Sequence, residues 1–122
     1  MPLARFSDVL LGGLASDGGL VVPQAYPQLS AVDLTSLRQL SYADLACAII
    51  GRFVDDIPED DLRALVHRAY SAETFGSAEI TPLQTLEPGL HLLKLSNGPT
   101  LAFKDVAMQL LGGLFDHVLG RR

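Results

Sequence analysis

The sequence predicts a small α+β fold, on three observations. Behind Ser30, Ser41 and Pro58, three segments place apolar residues at helical spacing after polar or acidic starts. Two short apolar runs, 83–86 and 90–95, flank the turn Glu87-Pro88-Gly89 and read as strands. From Lys104 onward Val106, Ala107, Leu110, Leu111, Leu114 and Val118 recur at helical spacing, which predicts a terminal helix. The expected order is therefore a small β element, three short helices, two short strands and a C-terminal helix.

Each element has a local reason. After Phe6, Val9, Leu10 and Leu11, the stretch 12–19 ends in Asp17-Gly18-Gly19, a turn signal whose glycines supply positive φ. Its spacing fits neither the P-loop nor the dinucleotide fingerprint. Leu20-Val21-Val22 then reads as a short strand stopped by Pro23. Ser30 with Asp33 is a capping-box-like start, with Leu34, Leu37 and Leu40 marking a buried side. Ser41 with Asp44 repeats the signal, and Tyr42, Leu45, Ala46, Ile49, Ile50 and Phe53 follow on one face. The third helix opens at Ile57-Pro58-Glu59-Asp60-Asp61, with proline in its first turn and acids at the positive end of the dipole. Leu62, Leu65, Val66 and Ala69 form its apolar stripe, with Arg63, His67 and Arg68 toward the negative end.

Residues 71–81 are small and polar and read as a connecting loop; Asn97-Gly98-Pro99 is a second turn. In the terminal helix Phe103, Met108 and Phe115 widen the apolar stripe, which predicts burial on several sides. Gly112-Gly113 inside it costs about 1 kcal/mol per glycine relative to alanine, a cost that close approach of another backbone would explain.

Composition excludes several classes. The chain has 122 residues, 48% hydrophobic and 19% charged, which suits one domain with a modest core. A formal net charge of −5 argues against a nucleic-acid or anionic-membrane surface. The basic doublet Arg121-Arg122 reads as a helix end, and Asp55-Asp56 as a solvated helix start. No apolar run approaches a membrane span, and the start lacks a leader pattern. A single cysteine, Cys47, forms no intrachain disulfide, fits a reducing compartment and reads as a buried small hydrophobe; the expected location is cytoplasmic. His67, His91 and His117 belong to no paired metal-ligand motif and read as surface or capping residues.

Lys104 is one of only two lysines, with Lys94, and follows Leu101-Ala102-Phe103. An amine among apolar neighbours is expected to favour its neutral form, which suits a Schiff-base lysine. The alternative is a helix-start lysine whose stem lies on apolar surface while its head reaches water. Asp105 reads as a helix-start acid or as a group orienting a site. Thr100 reads as an N-cap or as a contact to substrate or its phosphate.

The segment 97–105, Asn-Gly-Pro-Thr-Leu-Ala-Phe-Lys-Asp, resembles the His-Gly-Pro-Thr-Leu-Ala-Phe-Lys-Asp segment of the threonine synthase family. Residues 13–23 resemble that family's N-terminal Gly-Leu…Gly-Leu…Pro signature, and Ser41-Tyr42-Ala43-Asp44-Leu45-Ala46 and Asp55-Asp56-Ile57-Pro58 match its pattern in the same order. The resemblance implies part of a fold type II enzyme, tryptophan-synthase-β-like, that uses pyridoxal 5′-phosphate (PLP) to convert O-phosphohomoserine and water to threonine and phosphate. It implies that Lys104 is both the cofactor-binding and the catalytic lysine, moving protons at the substrate α and β carbons. It implies substrate contacts at Thr100 and Asn97, where asparagine stands for the family's histidine and retains hydrogen bonding without a titratable group. Residues 1–80 then correspond to the family's N-terminal domain and 81–122 to the first segment of its catalytic domain. No phosphate cradle is legible, so the isolated chain is expected to be inactive and, with an uncovered apolar helix, to self-associate. The alternatives are a phospho-lyase that does not deliver water to Cβ, and a packing module without catalysis.

Overall fold

The computed structural model describes residues 3–121. In chain order it contains α1 (Phe6–Gly12), α2 (Ala31–Leu37), α3 (Tyr42–Ile50), α4 (Glu59–Ala69), α5 (Ala72–Phe75), β1 (Leu83–Glu87), β2 (Leu90–Leu93) and α6 (Asp105–Gly120). The α+β composition is as expected. Of the Arg121-Arg122 doublet, expected at a helix end, Arg121 caps α6, and Arg122 lies outside the described residues.

The organising element is α4. Three acids, Glu59, Asp60 and Asp61, occupy its first turn and His67 and Arg68 its last, complementing the dipole at both ends. Pro58 stands at the N-cap position, one step before the first turn. The stripe Leu62, Leu65, Val66 and Ala69 is buried as expected, with Val66 completely enclosed. On one side α4 packs against α3, on the other against α6, and α1 rests on α6. One apolar cluster results, joining Ala43, Leu62, Val66, Phe75, Leu110 and Leu114 among others.

The caps of α2 and α3 are those predicted. Ser30 and Asp33 form a complete capping box, and the Ser41 hydroxyl accepts from the Asp44 amide. The expected buried faces are less well met. No residue of α2 is buried, and Leu34 and Leu40 are exposed, because no element among the described residues covers that side. In α3 the face turned to the core carries Ala43, Ala46, Cys47 and Ile50, while Phe53 is exposed. The small residues on that face let α3 approach α4.

Three segments depart from expectation. Leu20-Val21-Val22 is not a strand: no partner segment pairs with it among the described residues, and Leu20 and Val22 lie open. Phe6–Gly12, unassigned in the sequence, is helical, and its end is capped from afar. The Phe6 amide donates to Asp55 (2.9 Å) and the Ser7 amide to Asp56 (3.1 Å), so these two acids serve a helix 49 residues away rather than starting their own. The supposed loop 71–81 contains α5, with Ser71 accepting from the Thr74 amide and Gly76 closing it in the left-handed conformation.

β1 and β2 form an antiparallel hairpin with Leu83 opposite Leu93, Gln84 opposite Leu92 and Thr85 opposite His91. Every strand residue is exposed on both faces. The terminal helix was expected to be buried on several sides. It is buried along one stripe only, Leu110, Leu114 and Val118 above Asp105, and Met108 and Leu119 face outward. Gly113 faces Leu65, where an added Cβ would lie 3.4 Å from the leucine Cδ2, whereas Gly112 faces open space. The close neighbour at Gly113 is thus a side chain, not a backbone.

Candidate functional site: the lysine turn

The turn from Asn97 to Asp105 is tied to the core at both ends. At its start the Asn97 Nδ2 donates to two carbonyls, of Phe75 (2.8 Å) and Ile80 (2.9 Å). Beyond its end the hydroxyl of Tyr70 donates to the Val106 carbonyl at 2.8 Å, reaching from the C-cap of α4 to the first turn of α6. Burial pushes the Tyr70 phenol up to about 12, so it remains a donor throughout the ordinary pH range. Tyr42 stacks edge-on against it, with ring centroids 5.2 Å apart.

Asp105 closes the turn from within. It is 3% exposed, and its carboxylate accepts from the Thr100 amide and the Thr100 hydroxyl, each at 2.8 Å. Burial alone would push this carboxyl up. Hydrogen bonds from the Thr100 hydroxyl and amide, together with the amides of Ala102 and Leu101, outweigh it and hold the group below its ordinary range. Gly98 lies directly against this carboxylate: a Cβ there would stand 2.6 Å from Asp105 Oδ2. The Leu101 amide closes a turn onto the Gly98 carbonyl at 3.0 Å, and Leu101 takes φ of 59°, rare for a residue with a Cβ. Ile80 also has φ of 59°, and these are the two non-glycine residues with positive φ among those described. One lies in the turn and the other is held by Asn97.

Lys104 emerges at the end of this turn, as the residue before α6. It is exposed, with no hydrogen bond or ion pair to its ammonium among the described residues. Leu101 and Phe103 beside it are 74% and 66% exposed, so these residues do not supply the apolar enclosure that the sequence predicts. Thr100 does not cap α6; its hydroxyl proton goes to Asp105, leaving the oxygen lone pairs free to accept. Asn97 commits its amide nitrogen to the core, and its Oδ1 is buried with no partner among the described residues. That arrangement favours a supporting role over direct substrate contact. The sequence gives no signal for Tyr70; only its reach across to Val106 reveals it.

Burial pushes the Cys47 thiol up, away from the thiolate. His67 bonds to Asp44 at 3.0 Å and His91 to Thr85 at 3.0 Å. Among the described residues no cluster of His, Cys, Asp and Glu could hold a metal ion, and no helix is long and apolar enough to cross a membrane.

Comparison with known proteins places this geometry in a family. The sequence model described as threonine synthase N terminus matches residues 1–70. The chain is 53% identical to a threonine synthase of Methylobacillus glycogenes, over 99% of its own length and 27% of the relative's. It is 53% identical to one of Corynebacterium glutamicum, over 98% of its length and 26% of the relative's. The crystal structure of PLP-bound threonine synthase from Brucella melitensis superposes with a TM-score of 0.93 at 46% identity, covering 99% of this chain and 26% of that one. The chain thus spans about a quarter of the length of the relatives it matches. Motifs, fold and overall similarity agree, and the chain belongs to the threonine synthase family.

Proposed function

We propose that this chain supplies the lysine-bearing N-terminal part of a PLP-dependent threonine synthase, a lyase that converts O-phosphohomoserine and water to threonine and phosphate. The observation that carries the reading is Lys104 itself. It is an exposed, unpaired amine among the described residues, presented by a turn anchored at both ends, in a chain closely similar to a PLP-bound threonine synthase. Residues 1–80 form the N-terminal domain and 81–122 begin the catalytic domain, although Leu110, Leu114 and Val118 share one core with α4.

The residues present fit the covalent half of a PLP site. Gly98, the one glycine of the turn, packs on Asp105 and is not open to a phosphate. When bound, PLP supplies an electron sink for carbanion chemistry. In this reading Lys104 holds the cofactor and then moves protons at the α and β carbons of the substrate. Thr100 is the proposed substrate contact, and Asp105 keeps its oxygen in place. In the protein expressed from its complete coding sequence, borohydride treatment with PLP should leave a phosphopyridoxyl mass on the peptide containing Lys104. A label on another lysine, or none, would refute the assignment.

The isolated chain is proposed to self-associate. Leu83 and Leu90 on the hairpin and Leu101, Phe103 and Met108 around the start of α6 are exposed, apolar side chains that a second copy could cover. Sedimentation velocity should show the average mass rising with concentration; a constant monomer mass would contradict this.

A further inference from the structure

We infer that Asn97 is a positioning residue that couples the α4–α5 part of the core to the lysine turn. The inference rests on the reading of Lys104 as the cofactor lysine. Asn97 Nδ2 donates to the carbonyls of Phe75 and Ile80, which lie on either side of the bend that follows α5. Each amide proton therefore has an acceptor, and the amide orientation is fixed: reversed, its oxygen would face two carbonyl oxygens.

What Asn97 grips is a strained residue. Ile80 is β-branched, 1% exposed and held at φ of 59°. Such a conformation persists only where its surroundings over-determine it. Here the Ile80 amide bonds to the Ser77 carbonyl at 3.1 Å, its carbonyl accepts from Asn97, and its side chain is enclosed. On the other side of Asn97 the chain passes at once into Gly98, against Asp105, and then into Leu101, the second positive-φ residue. The clamp thus joins two strained bends, one in the core and one that presents Lys104.

The Oδ1, buried and without a partner among the described residues, sharpens the point. An orphaned acceptor is unfavourable, and an apolar residue of similar shape would remove it. The same replacement would strip two carbonyls of their donor, so the two donated bonds are what asparagine contributes here. Loss of the clamp should leave α6 in place, because Tyr70 still holds Val106 and Leu110, Leu114 and Val118 remain packed. Only the placement of the turn, and of Lys104 with it, should suffer.

The test uses the protein from its complete coding sequence, with PLP as the probe. In Asn97→Ala, hydrogen exchange should rise by roughly tenfold in both 76–81 and 98–104, the loss expected for a hydrogen bond of ordinary strength, while α6 exchange is unchanged. The PLP concentration that half-saturates the Lys104-dependent absorbance should rise several-fold, and the pH midpoint of that absorbance should move. Asn97→Ser, which keeps one donor, is the milder variant and should fall between. Faster exchange confined to 76–81, or cofactor absorbance identical to that of the unmodified protein, would overturn the inference. If the unmodified protein shows no absorbance that Lys104→Ala removes, the cofactor reading fails. The exchange pattern then decides the clamp alone: a joint rise supports it and a separate one refutes it.

Discussion

Asp105 shows how much one carboxylate can fix. It begins α6, where its charge meets the positive end of the helix dipole, and it also holds the backbone and hydroxyl of Thr100. The sequence offers a helix-start acid or a group orienting a site as alternatives; the structure places the residue in the first turn of α6 and, at 3% exposure, against Thr100. Its contact with Gly98 leads to a specific expectation. Gly98→Ala places a methyl group against the carboxylate and should destabilise the chain by roughly 1–3 kcal/mol, the range for overpacking a tight site. Thermal denaturation should show the loss, and Pro99→Ala, at an exposed position, should have a smaller effect. Equal stability of Gly98→Ala and the unmodified chain would contradict the packing described.

At the scale of elements, legibility followed the range of the interaction that makes each one. Ser30–Asp33, Ser41–Asp44 and the α4 stripe are local signals within one or two turns, and all were readable. The hairpin was readable too, because Gly89, with φ of 82°, punctuates two apolar runs. Helix α1 was not, since its amides are capped by Asp55 and Asp56 from a distant segment. Leu20-Val21-Val22 has strand composition without a partner, and pairing is a property that no short segment carries by itself. The buried side assigned to α2 failed for a similar reason: periodicity gives a face, not what covers it.

For the whole molecule, motif order singles out Lys104 as the candidate but carries nothing of its setting. Lys104 was found through its neighbours 97–105, whereas its clamps, Asn97 to Phe75 and Ile80 and Tyr70 to Val106, exist only in three dimensions. The enclosure expected around Lys104 is absent from the described residues, and Leu101, Phe103 and Met108 present an apolar surface instead. This chain is proposed to contribute Lys104 to a threonine-forming enzyme. Product analysis with O-phosphohomoserine tests it most directly, using the protein from its complete coding sequence and PLP. Threonine and phosphate should appear in equal amounts, Lys104→Ala should abolish both, and the isolated 122-residue chain should yield neither. A keto acid and ammonia in place of threonine, or threonine formation that survives Lys104→Ala, would contradict the account.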